Sequence, residues 1–257
     1  MFDGVVFLDK PYGMTSHHAC EIVKKILDAK KTGHTGTLDP KVTGLLIVLI
    51  NKATRIASIL NLDKTYVGVG KLHKDVSLKE LREKSKNFIG KIKQLPPKRS
   101  SVKRVERERE IYEFKILQKK GRYFLFRVKC EAGTYVRKLI HDFGLDIGGA
   151  HMLELRRIAI GKIKEDKAIT LYQLEEKRKD AIISLEQLAK FLPYKKISLK
   201  NELAKKFCHG GFIDLKQVNI KQKLENNEKI ILFHKGKVIG IGVTLNEKIK
   251  PEIVLGF

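Results

Sequence analysis

The stretch Gly33-His34-Thr35-Gly36-Thr37-Leu38-Asp39-Pro40-Lys41-Val42-Thr43-Gly44-Leu45-Leu46-Ile47-Val48-Leu49-Ile50 changes character halfway along. Gly33, Gly36 and Pro40 punctuate its first part, which reads as loop over 32–40. The second part, apolar over 44–50, is far short of the roughly 18 residues of a membrane span and reads as a strand. Upstream, an apolar run over 4–9 reads as a buried strand ended by Lys10-Pro11. Thr15-Ser16 then caps a helix whose apolar face is Ala19, Ile22, Val23, Ile26 and Leu27. Downstream, the pattern predicts a helix over 54–60, a strand over 66–72 and a surface helix over 77–89. Strands over 111–118 and 123–130 flank Lys119-Lys-Gly-Arg122, a hairpin turn, and a helix over 134–143 stops at Gly144. Strands and helices in no simple βαβ order argue an α+β fold around a mixed or antiparallel sheet. At Pro193 the composition shifts: the remainder holds 13 Lys, no Arg and 6 acidic residues. Strands predicted over 229–234, 237–244 and 253–257 make it a small β-rich second domain. The expected division is therefore 1–192 and 193–257, the smaller part being marginal alone and packed on the larger.

Charge narrows the partners. The 257 residues carry 53 Lys+Arg against 29 Asp+Glu, a formal net charge of +24. Such self-repulsion favours an anionic partner, and nucleic acid leads because each neutralised phosphate releases counterions. A membrane surface would call for a basic amphipathic helix with large aromatics, which the sequence lacks along with any Trp. The plain alternative is a lysine-rich composition that charges any surface. Arginine is the more telling residue for phosphate, and it clusters at Lys98-Arg99, Lys103-Arg104, Arg107, Arg109 and Arg156-Arg157. Cys20, Cys130 and Cys208 are odd in number and widely spaced, so neither a disulfide framework nor a zinc pair is expected. With Asp3 near its start and no basic, apolar leader, the N-terminus is not a signal peptide, and a cytoplasmic protein is expected.

The glycine-rich loop lacks the Gly-Lys-Ser/Thr of a nucleotide-binding loop. His34 and Asp39 lack the spacing of a metal pair, so no metal is expected. Residue types and spacing alone leave Asp39 as either a structural Asp-Pro turn or a nucleophile.

Lys10-Pro-Tyr-Gly-Met-Thr-Ser16 and Gly33-His-Thr-Gly-Thr-Leu-Asp-Pro-Lys-Val-Thr-Gly44 closely resemble the TruB family of pseudouridine synthases. Matching motifs follow in order: Lys64-Thr-Tyr66, Leu72-His-Lys-Asp-Val76, Gln94-Leu-Pro-Pro97, Ser101-Val-Lys-Arg104, Ala132-Gly-Thr-Tyr-Val-Arg137 and Gly149-Ala-His-Met-Leu-Glu-Leu-Arg-Arg157. Their forms are more similar to the archaeal and eukaryotic dyskerin branch than to the bacterial stand-alone enzymes. The tail, with Cys208-His-Gly-Gly211, looks like a shortened PUA domain. The resemblance implies a pseudouridine synthase catalytic domain with Asp39 as the catalytic aspartate, Arg137 paired with it, and Tyr66 against the target base helping remove the C5 proton. It further implies that Leu155 packs on the uracil, that His34 contacts and helps flip the nucleotide, and that Lys10 shapes the wall of the site. Arg99, Lys103, Arg104, Arg156 and Arg157 are candidates for the RNA backbone. The isomerisation needs no cofactor.

The branch implies the catalytic subunit of an H/ACA ribonucleoprotein, guided to ribosomal RNA. Its partners would be guide RNA, a small buttressing protein, a glycine-arginine-rich protein and a kink-turn-binding ribosomal-type protein. A stand-alone enzyme of the transfer-RNA TΨC loop is the second reading, and a non-catalytic RNA scaffold the third. Retention of Asp39, Tyr66 and Arg137 together argues against the scaffold.

Overall fold

A computed structural model describes residues 2–96, 103–219 and 223–256. The apolar runs at the start of the chain become β1 (Gly4–Lys10) and β3 (Val42–Ile50), antiparallel partners from Gly4↔Ile50 to Lys10↔Gly44. Between them lies α1 (Ser16–Leu27), capped by the Thr15 hydroxyl, which accepts from the His18 N–H. The span expected to be loop over 32–40 is loop only in part. Thr32–Thr35 forms β2, paired antiparallel with β3 from Thr32↔Ile50 to Thr35↔Ile47. A short segment with β-branched threonine at each end still makes a ladder when a long apolar strand offers its edge.

The helix expected over 54–60 is a 3-10 turn running Asn51–Leu60. After it come β4 (Lys64–Leu72), α2 (Leu78–Lys86), β5 (Gly90–Gln94), β6 (Arg107–Lys120), β7 (Tyr123–Cys130), α3 (Val136–Leu145), β8 (Ala150–Ile160) and β9 (Ile163–Lys164). These complete a nine-stranded sheet of order β1-β3-β8-β4-β7-β6-β5, with β2 on β3 and β9 on β8. β8 runs parallel to β3 and antiparallel to β4, so the sheet is mixed, in an α+β fold. The sequence pattern assigns nothing to 150–160 and misses β8. Glu154, Arg156 and Arg157 interrupt its apolar residues, and the reason lies in the site described below.

The helices α4 (Leu171–Lys177) and α5 (Leu185–Ala189), each begun by a reciprocal capping box, lead to the second sheet. There β10 (Lys195–Ser198), α6 (Asn201–Cys208), β11 (Ile213–Asp214), β12 (Lys229–His234), β13 (Lys237–Leu245) and β14 (Lys248–Val254) give the order β10-β12-β13-β14-β11. The last strand lies earlier than the expected 253–257. It includes Pro251 beside a register shift, where a missing N–H is tolerated. Ile231, Val238, Ile241 and Ile253 of the second sheet, with Leu255 just after it, share one apolar core with Val5, Phe7, Leu45, Ile47 and Leu49 of the first.

The opposite face of the first sheet buries α1 and α3. Phe143 of α3 is fully buried, edge-on to Phe88, Phe114 and Phe124 at ring distances of 5.9, 5.2 and 5.9 Å. Such geometry adds to plain burial, and it docks the helix that begins at Val136. Phe143→Ala is expected to destabilise by about 3–5 kcal/mol in urea unfolding, whereas a loss below about 1 kcal/mol would mean that α3 is held elsewhere.

Candidate active site

Four residues lie on one row across the sheet. Lys10 of β1 faces Gly44 of β3, Gly44 faces Arg157 of β8, and Arg157 faces Tyr66 of β4. A Cβ at Gly44, where φ is +99°, would lie 2.3 Å from the Arg157 carbonyl oxygen, so only glycine lets β3 and β8 approach. Just beyond this row the sheet forks, because β3 pairs with β8 through Gly44 and with β2 from Ile47 onward.

Arg157 fills the fork. Its Nε donates to the Leu45 carbonyl at 2.7 Å and its Nη2 to the Gly36 carbonyl at 2.8 Å. These are acceptors at the point where the ladder changes partner, and a buried carbonyl left unpaired is costly. From the other side the Lys10 ammonium donates to the carbonyls of Pro11, Met14 and Pro40, at 2.8, 2.6 and 3.4 Å. The loop from Gly36 to Pro40 is thus held at both ends by cations rooted in the same row.

Its middle is held as firmly. The buried Ser16 hydroxyl donates to the Leu38 carbonyl at 2.9 Å and accepts from the Leu38 N–H at 2.8 Å. The Val42 N–H donates to the Asp39 carbonyl at 3.0 Å. Asp39 is left with its carboxylate about half exposed, paired with the guanidinium of Arg137 on the first turn of α3. The carboxylate–guanidinium pair that the resemblance implies is present in the structure. Gln94, at the end of β5, fixes this turn by donating to the Tyr135 carbonyl at 3.2 Å and accepting from its N–H at 2.9 Å.

Tyr66 and Leu155 are both 7% exposed and belong to one apolar cluster with Leu38 and Val42. Burial pushes the Tyr66 phenol up. His34 sits on β2 rather than in a loop, half-buried, with Nδ1 lacking a hydrogen-bond partner. Burial, then Arg157 and His17, push its imidazole down, toward the neutral form.

Two expected RNA contacts are structural. Arg157 is 0% exposed and cannot reach a phosphate. Arg156 grips Asp9 with both Nη atoms at 2.9 Å and Glu165 through Nε at 2.7 Å, so carboxylates already occupy its fork. Lys10, also 0% exposed, holds backbone carbonyls. Lys103 and Arg104 are exposed on the segment entering β6, and Arg99 lies outside the described residues.

Lys64 enters the site without having been singled out from the sequence. At 5% exposure it lies under the loop, its Nζ donating to the Leu62 carbonyl at 2.6 Å. A Cβ at Gly36 would be 3.0 Å from Lys64 Cε and 3.2 Å from Arg157 Nη1, so glycine lets the loop rest on both cations. The signal was its place in Lys64-Thr-Tyr66, two residues before Tyr66 on the same strand face. Among the described residues no cluster of three or more His, Cys, Asp or Glu could hold a metal ion, and no helix is long and apolar enough to cross a membrane.

A half-exposed carboxylate held by arginine, with buried cations, a buried tyrosine and a buried leucine around its loop, is an arrangement suited to nucleophilic or proton-transfer chemistry. The comparisons give the family. A model of the TruB family pseudouridylate synthase N-terminal domain matches residues 24–136, and one of the tRNA pseudouridylate synthase B C-terminal domain matches residues 137–196. The chain is 41% identical over 254 residues to the probable tRNA pseudouridine synthase B of Methanosarcina barkeri, spanning 93% of this chain and 75% of that protein. The corresponding protein of Archaeoglobus fulgidus is 40% identical over 258 residues, 94% of this chain and 79% of its own. Among solved structures, one titled as a Cbf5-Nop10-Gar1 complex matches with a TM-score of 0.87 and 36% identity, covering 98% of this chain and 84% of the other. Another, titled as an H/ACA RNP bound to a substrate RNA containing 2'-deoxyuridine, matches with a TM-score of 0.84 and 33% identity, over 98% and 84%. The chain belongs to the TruB family of pseudouridine synthases, isomerases that convert uridine in RNA to pseudouridine.

Two outcomes test the geometry. Ser16→Ala leaves the buried Leu38 N–H unpaired, which costs about 1–3 kcal/mol of stability, and kcat is expected to fall while RNA affinity holds. Burial, with Arg157, pushes the Lys64 ammonium down to about 8 from an ordinary 10.5. Between those values the unfolded chain keeps a proton that the folded chain has released, so stability rises with pH there and the penalty is complete below about pH 8. The melting temperature of the wild type should therefore gain on that of Lys64→Met from pH 8 to 10. A constant gap would refute the burial of a charged Lys64.

Proposed function

We propose that Asp39 is the catalytic carboxylate and that this chain is the guide-directed catalytic subunit of an H/ACA-type ribonucleoprotein modifying ribosomal RNA. The observation that carries the assignment of Asp39 is its pairing with Arg137 on a loop clamped by Lys10, Ser16 and Arg157. Holding a reacting atom in position removes part of the entropic cost of reaching the transition state, and this loop is held by three buried polar side chains. The guide-directed reading is supported by structural neighbours whose titles name Nop10, Gar1 and H/ACA substrate RNA. Nop10- and Gar1-like accessory proteins, a kink-turn-binding protein and guide RNA are the partners we assign, in a cytoplasmic setting. We divide the chain into a catalytic domain over 1–192 and a shortened PUA-like RNA-binding domain over 193–257.

Isomerisation breaks the N1–C1' bond, turns the uracil and joins C5 to C1'. The Asp39 carboxylate attacks C1', or removes a sugar proton to give a glycal, and in either route the uracil departs with the bonding pair as an anion. Lys10, Lys64 and Arg157, buried beneath the loop, hold fixed positive charge below that anion in a low dielectric. A phenol whose pKa burial raises is a poor base at neutral pH, so we assign Tyr66 to packing against the uracil. In the covalent route the new C5–C1' bond releases the Asp39 carboxylate, and in the glycal route Asp39 returns the proton to the sugar as that bond forms; in both, the free carboxylate then takes the C5 proton and passes it through water to N1. Leu155 completes the apolar wall, and a neutral His34 hydrogen-bonds the extruded nucleotide.

A second reading, a stand-alone enzyme of transfer RNA, is favoured by the names of the curated relatives. Tritium release from C5-labelled uridine in a transfer-RNA transcript separates the two. Silence without guide and release once guide RNA, accessory proteins and ribosomal target are added is the expected result, and release without guide would favour the second reading. In either format Asp39→Asn should abolish turnover and leave RNA affinity nearly unchanged; turnover comparable to wild type would overturn the role of Asp39.

A further inference from the structure

The exposed aromatic Tyr12 lies in the turn between β1 and α1, 64% exposed. A single exposed tyrosine is ordinary. The way its turn is held is not. The Lys10 ammonium donates to Pro11 O before Tyr12 and to Met14 O after it, at 2.8 and 2.6 Å. Gly13, at φ +83°, closes the turn and donates its N–H to the Pro40 carbonyl at 2.9 Å. That bond limits the Tyr12 and Asp39 Cα atoms to a separation of at most about 12 Å. A lysine with no exposed surface is expensive to bury. Here its charge stiffens a turn whose outward feature is a phenol ring, fastened to the residue that follows the catalytic aspartate.

The reaction leaves a need that such a ring meets. A uridine drawn out to Asp39 loses its stacking neighbours, and the bases on either side lose a face as well. An aromatic ring replaces a lost base face irrespective of sequence, and pre-ordering the ring removes the entropic cost of placing it. Exposed Lys41, Arg137, His17 and His18 lie close in sequence or space to the same rim, where the RNA backbone must pass.

We propose that Tyr12 is a stacking platform for the base of a nucleotide directly flanking the target uridine in single-stranded RNA. This rests on the reading that Asp39 receives the flipped uridine. Tyr12 acts on binding and on the placement of the strand, and takes no part in bond making.

The test is a cycle between protein and RNA changes, read as the affinity of the active assembly for target RNA. Wild type, Tyr12→Ala and Tyr12→Phe are each titrated with intact RNA and with RNAs abasic at the position before or after the target. Tyr12→Ala should weaken binding of intact RNA about ten-fold, equivalent to about 1.4 kcal/mol, and Tyr12→Phe should bind as wild type does. On RNA abasic at one flanking position the Tyr12→Ala penalty should vanish, a coupling that a merely structural loss would not give. Melting temperatures should match throughout. No loss on intact RNA, or an equal loss on every RNA, overturns the proposal. Tritium release by wild type against Asp39→Asn judges the underlying reading separately. If that comparison succeeds and the cycle shows no coupling, the platform alone is wrong.

Discussion

The guanidinium of Arg157 sits where the main sheet changes partner, and the geometry of the site depends on it. A nine-stranded sheet could continue β3 against β8 along its whole length, but here β2 replaces β8 after Gly44. The switch leaves backbone carbonyls facing a gap, and Arg157 closes it by binding Leu45 and Gly36 at once. One side chain therefore sets the distance between the strand that enters the core and the loop that leaves it. Lys10, two strands away on the same row, does likewise for the far end of that loop. Asp39 is placed by sheet geometry transmitted through two cations, with little freedom of its own.

This arrangement is costly to the fold. Lys10, Lys64 and Arg157 are buried, and no Asp or Glu is buried among the described residues. Desolvating like charges close together opposes folding, and the lowered pKa of Lys64 and of Lys10 shows the cost, set first by burial in both. Backbone carbonyls recover part of it through short hydrogen bonds. What remains is a standing positive potential under an exposed carboxylate, a feature of use to a reaction that expels an anionic base and of none to a scaffold.

Much of this was legible in the sequence, for reasons that also explain what was not. β1, α1, β4 and β7 announce themselves by apolar period and by caps such as Thr15, because their interiors are ordinary. β8 does not, because its buried face carries an arginine where a strand pattern expects an aliphatic residue. The same fact misdirected the reading of Arg156-Arg157 toward RNA: two adjacent arginines look like a phosphate clamp, and only the tertiary structure shows one enclosed by carbonyls and the other by carboxylates. β2 was hidden for a different reason, since Gly33 is a turn residue by habit and a strand residue only beside β3. The pairing of Asp39 with Arg137 was reachable from family motifs alone, because 98 residues separate the partners and no local pattern joins them.

The shared core between the two sheets carries a consequence of its own. Val5, Phe7, Leu45 and Ile47 form the back of the strands that bear Lys10 and Gly44, and they are covered by Ile231, Val238 and Ile241 from the second sheet. The Val238 N–H donates to Glu186 at 2.9 Å and the Tyr194 hydroxyl to Ile59 at 2.9 Å, stitching the same seam. The second sheet is therefore a retaining wall for the first, and opening either one exposes apolar surface of the other to water. By mass action, any ligand that grips the native tail alone raises the free energy needed to open the catalytic sheet. Occupancy of one end of the molecule becomes thermal insurance for the other, through a layer of methyl groups that touches neither ligand nor substrate.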